Sequence, residues 1–92
     1  TADHIVSSGM LNLTEWSNLA NMRILLRKCF DACTIGAAVN MLSSKAPKHR
    51  EGRFYYDPSW ALDEALAITP YATLRHDYRD NDMTLYLRRG PT

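Results

Sequence analysis

What the chain has little of narrows its reading first. Among 92 residues there are 4 glycines, 4 prolines and 2 cysteines, and no apolar run long enough to span a bilayer. The first twenty residues also lack the basic start and apolar core of a signal peptide. The expectation is therefore a cytoplasmic protein with no membrane partner. Two cysteines within one short segment are not the framework of a disulfide-stapled domain. Net charge is small as well: it is formally +1, which neither demands a nucleic-acid partner nor excludes one. A glycine-rich phosphate loop, a nucleophile elbow and a metalloprotease helix are all missing.

The remaining candidates for chemistry are thin. Cys29 and Cys33 would share a helix face, but a zinc ion needs two further ligands, and His4, His49 and His76 show no paired spacing. Both cysteines are expected to be buried small apolar residues. Cys33, His76 and Asp77 form a catalytic set only on paper, because strand alternation turns His76 inward and Asp77 outward. His76 is expected at the core edge with one hydrogen-bond partner. Asp63 and Glu64 diverge by about 100° on a helix, and residues 80–82 lack the glycine and glutamate of a calcium loop. The expectation is a protein that is not an enzyme and that needs no cofactor or metal.

What is present is a composition of 46% hydrophobic and 23% charged residues, ordinary for a globular protein and far from the disordered regime. A chain of this length suffices for one small domain with its own core. Residues 13–42 run without proline. Leu19, Met22, Leu26, Cys29, Phe30 and Cys33 recur at three- and four-residue steps, which predicts a helix over 15–32 with Thr14 as N-cap. A second helix over 35–44 is expected to follow, closed by Pro47. Residues 1–12 read as a lead-in arm and 90–92 as a tail.

Phe54-Tyr55-Tyr56 favours a short strand over 53–56. Asp57-Pro58 announces another helix over 58–68, with Asp57 as N-cap and Pro58 in the first turn. Residues 71–89 alternate as a hairpin, with Ala72, Leu74, His76, Tyr78, Met83, Leu85 and Leu87 on one face. A two-residue turn at Asp80-Asn81 would pair His76 with Leu85 and Leu74 with Leu87. The fold class expected is α+β: an N-terminal helical pair, a short strand, one further helix and a C-terminal β-hairpin forming a small antiparallel sheet. No known family emerges from these residues.

Two surfaces follow. Lys45, Lys48, Arg50 and Arg53 form a basic loop beside aromatic residues, suited to phosphates and an exposed base. The outer face of the hairpin carries Arg75, Arg79, Tyr86 and Arg88. The first functional expectation is a small non-enzymatic regulator or inhibitor that covers a surface of a partner protein, with Tyr55, Tyr56, Trp60, Trp16, Arg75, Tyr86 and Arg88 as its contacts. Aromatic residues and arginine are enriched at such interfaces, and compact cofactor-free phage and plasmid proteins often work as stoichiometric blockers. The second is a nucleic-acid-binding regulator of winged-helix-like layout, using Lys45, Lys48, Arg50, Arg53, Arg75, Arg79 and Arg88. Against it, the helix over 58–68 exposes Asp63 and Glu64 and has no Lys, Arg, Asn or Gln to read base edges. A homodimer is compatible with an open sheet edge.

Overall fold

The computed structural model describes residues 2–8 and 19–91. Six elements follow in order: β1 (Ala2–Ser8), α1 (Leu19–Ala32), β2 (Cys33–Leu42), α2 (Pro58–Ile68), β3 (Ala72–Arg75) and β4 (Asp82–Arg88). The chain is thus a small α+β unit with a four-stranded mixed sheet of order β1-β2-β4-β3. β1 runs parallel to β2, whereas β4 is antiparallel to both of its neighbours.

Two expected elements change identity. Residues 33–42 are a strand in place of the second helix, and residues 2–8 are an edge strand in place of a lead-in arm. The alanines of Gly36-Ala37-Ala38 suit a helix locally, but β2 sits between β1 and β4, where both of its edges are hydrogen-bonded. Ala37, Val39 and Met41 then point to one face and are buried, a period of two that the small residues between them disguise. Without a helical pair, the winged-helix-like layout is not present among the described residues.

The strand expected over 53–56 is not continuous; at Tyr56 it reduces to a bridge, in which Tyr56 donates its amide to the Leu42 carbonyl while its own carbonyl accepts from Ser44. The hairpin forms, but with Leu74 opposite Leu85 and Ala72 opposite Leu87. That is a shift of two from the expected register, and the two-residue turn becomes a loop over 76–81. A slip of two leaves every strand-paired side chain on its original face, so alternation alone cannot detect it. Tyr78, expected inward opposite Met83, lies in the loop and bonds Asn40 and Thr84 on the other face of the sheet.

Both helices cover the same face of the sheet, α1 over β1 and β2 and α2 over β3 and β4. Met22, Leu26, Cys29 and Phe30 are the buried stripe of α1, and Leu19, expected on that stripe, is exposed. α2 buries the small Ala61 and Ala65 and leaves Leu66 outside. Asp57 caps α2 as expected, its carboxylate accepting from the Trp60 amide at 3.0 Å. Arg23 of α1 pairs with Glu64 of α2.

α1 passes into β2 with no intervening loop, which leaves its last carbonyls in need of donors. Arg89 serves one of them, together with the first carbonyl of β2. Its guanidinium donates to Phe30 O at 2.6 Å and Cys33 O at 3.2 Å, and lies 4.0 Å from the centre of the Phe30 ring. No described helix is long and apolar enough to cross a membrane.

Candidate functional site: the helix-free sheet face and the basic cleft

With both helices on one side, the other face of the sheet is uncovered. It carries His4 and Val6 from β1, Gly36, Ala38 and Asn40 from β2, Thr84, Tyr86 and Arg88 from β4, and Thr73 and Arg75 from β3, all fixed there by the strand registers. Val6 is 78% exposed and Ile35 48%. The central strand is low because Gly36 and Ala38 have almost no side chain. Two hollows result, one of about 370 Å³ towards Ile35 and Arg88 and one of about 570 Å³ towards Asn40 and Arg79. Val6, Ala38 and Tyr86 line both.

Hydrogen bonds hold this surface in shape. Asn40 Nδ2 donates to the Tyr78 hydroxyl and to Asp82 Oδ2, each at 3.0 Å, and the Tyr78 and Thr84 hydroxyls are 2.6 Å apart. Arg88 stands over the Tyr86 ring at 5.2 Å, and its guanidinium reaches Thr73 Oγ1 at 3.4 Å. Arg75 pairs with Asp77 at 3.1 Å, a contact that holds the carboxyl below its ordinary pKa. Arg79 pairs with Asp82 at 3.6 Å.

The second site lies beyond the end of β2. Lys48, His49, Arg50, Arg53 and Tyr55 face Asp80 and Asn81 across a cleft of about 650 Å³. The His49 and Tyr55 rings are stacked, with centroids 4.0 Å apart and planes within 9°. Lys45 is exposed but does not line the cleft.

The expected contact residues therefore divide. Arg75, Tyr86 and Arg88 come together on the sheet face, and Lys48, Arg50, Arg53 and Tyr55 gather at the cleft. Tyr56 joins neither: it is 0% exposed, packed between Phe54 and Trp60. Trp60 is half-buried in the same aromatic cluster. Trp16 lies outside the described residues. Sequence reasoning missed Val6, Ala38 and Asn40, whose common face became visible only once 2–8 and 33–42 were known to be strands.

The paper triad is not assembled. Cys33 donates to the Phe30 carbonyl at 3.2 Å, and Asp77 is engaged by Arg75. His76 instead lies 2.7 Å from Ser43 Oγ, the partner expected for a core-edge histidine. Ser43 is fully buried and also accepts from the Lys45 amide, so a substrate cannot approach its hydroxyl. Cys29 and Cys33 are free and buried, and burial together with the neighbouring Cys33 pushes the Cys29 thiol pKa up. No known protein family, characterised protein or solved structure matches the chain.

Proposed function

We propose that the chain is a small non-enzymatic regulator or inhibitor that covers a surface of another protein with the helix-free face of its sheet. The observation that carries this reading is the exposure of Val6 beside the low Gly36–Ala38 strand and the Tyr86 ring. A monomeric sheet face that meets only water ordinarily alternates towards polar side chains, and here its centre is small and apolar. The smaller hollow is of a size to seat a large apolar side chain, with an aromatic wall and an arginine at its rim, the combination found at binding hot spots. Arg88 has no ion-pair partner among the described residues, so an acidic group on the partner would complete it.

The test is affinity capture from the organism that encodes the chain, comparing wild type, Ala38→Arg and the double variant Lys48→Glu with Arg50→Glu. A protein retained in stoichiometric amount by wild type and by the double charge reversal, and lost with Ala38→Arg, supports the reading. Retention by Ala38→Arg together with loss by the charge reversal assigns the interface to the basic cleft.

A further inference from the structure

The sheet-face function leaves the basic cleft without a role, and its construction differs from that of a solvated loop. Three hydrogen bonds tie it down. The Arg50 amide donates to the Tyr55 hydroxyl at 2.8 Å, and the Arg53 amide reaches the Arg50 carbonyl at 3.4 Å. His49 Nε2 lies 3.1 Å from the Ser44 carbonyl, which only a protonated Nε2 can satisfy, so the imidazole is oriented by the backbone. Gly52, at φ 78°, makes the turn that brings Arg53 back to the cleft. The ring pair is thereby held as a rigid two-ring stack, in which His49 is the exposed member and Tyr55 the half-buried one.

Charge and polarity around that stack are distributed in a specific way. Lys48, Arg50 and Arg53 all line the cleft, and none of them makes an ion pair among the described residues. The opposite wall is Asp80 and Asn81, an anionic acceptor and an amide that both donates and accepts. A bare anion would be served by the cations and repelled by Asp80. A flat ring carrying hydrogen-bond donors, attached to a phosphate, uses all three parts: the imidazole as a stacking surface, Asp80 and Asn81 for the ring edge or sugar hydroxyls, and the cations for the phosphate.

We propose that this cleft binds nucleoside phosphates, with the base stacked on His49 and the phosphate held by Lys48, Arg50 and Arg53. A free mononucleotide and a nucleotide within a single strand present the same chemistry, and a volume of about 650 Å³ accommodates either. This proposal is independent of the sheet face and of any helix entering a groove.

Labelled hexanucleotides of uridine and of thymidine are titrated with the protein by fluorescence anisotropy across a salt series. In parallel, uridine monophosphate and inorganic phosphate are added separately to isotope-labelled protein and followed by NMR. Saturable shifts at His49, Tyr55 and Asn81 with uridine monophosphate, and none with equal inorganic phosphate, are the expected result. Hexanucleotide affinity tighter than that of the mononucleotide and falling steeply with salt identifies a strand as the ligand. Equal affinity for the two identifies the free nucleotide. His49→Ala is expected to weaken binding roughly tenfold with the salt dependence unchanged. Lys48→Glu with Arg50→Glu is expected to abolish it, and Ala38→Arg to leave it intact. All of these positions except Ala38 are exposed loop residues, and the wild-type NMR titration stands whether or not a variant folds. No shift with uridine monophosphate at low salt, or equal shifts with inorganic phosphate and no effect of His49→Ala, overturns the proposal.

Discussion

Ala38 and Tyr86 are direct cross-strand partners at the centre of the helix-free face. The alanine leaves a trough beside the tyrosine ring, and Val6, paired with Ala38 from the other side, forms its far bank. Neither residue is demanded by the core, which is built from the opposite face of the same strands. The relationship makes the face an apolar hollow with a rim, and it underlies the function proposed for the chain.

Gly36 sets how closely β2 and β4 approach. A Cβ there would stand 3.2 Å from the Leu87 carbonyl oxygen and 3.4 Å from Arg88 Cγ. Gly36→Val is expected to lower stability by about 2 kcal/mol, because the branched side chain forces the Leu87 carbonyl and the Arg88 side chain to shift. Urea unfolding measures it as a lower midpoint with an unchanged slope.

Arg89 closes the end of α1 through two charge-assisted bonds and a contact with the Phe30 ring. Arg89→Ala is expected to destabilise by about 2 kcal/mol. Lysine at the same position is expected to recover less than half, because an ammonium cannot hold two carbonyls with one planar fork. Thermal unfolding of the three proteins side by side decides the order.

Tyr56 and Tyr55 are neighbours with opposite fates. Tyr56→Ala empties a fully buried site and is expected to cost about 3–5 kcal/mol, enough to unfold much of the population of a small domain. Tyr55→Ala removes a half-buried ring and a single hydroxyl acceptor and is expected to leave the fold intact. Comparable losses for the two would contradict the burial described for Tyr56.

The raised Cys29 thiol pKa has a pH consequence of definite sign. As pH climbs past the ordinary thiol value near about 8.5, the unfolded chain ionises first while burial keeps the folded thiol protonated. Its contribution is therefore fully present below the unfolded pKa and is lost as pH rises through the folded one. Urea midpoints measured from about pH 7 to about pH 10 are expected to fall more steeply for wild type than for Cys29→Ser. The thiol is also expected to react slowly with alkylating reagents at neutral pH.

The elements legible in the sequence were those specified by their own residues. α2 carries its start signal in Asp57-Pro58, and the body of α1 carries its stripe in Met22, Leu26, Cys29 and Phe30. β2 was not legible, since alanine, asparagine, methionine and leucine accommodate a helix and only pairing with β1 and β4 turns them into a strand. β1 was obscured because an edge strand needs only one hydrogen-bonded flank and little apolar content, so Ile5 and Val6 look like an isolated island. The faces of the strand-paired hairpin residues were readable from alternation, but their register was not, and neither was the outward turn of Tyr78. The loop is held by Asn40 reaching Tyr78 and Ser43 reaching His76, contacts between segments more than thirty positions apart. The same limit applied to the site: Tyr86 and Arg88 could be placed on an outer face, whereas Val6 and Ala38 could join them only through the sheet order.

The most direct measurement is the dissociation constant of the captured protein partner for wild type, Ala38→Arg and Tyr86→Ala, by calorimetry on folded variants. The account predicts a loss of at least about tenfold for each, with Lys48→Glu plus Arg50→Glu within about twofold of wild type. Wild-type affinity in both face variants would contradict it.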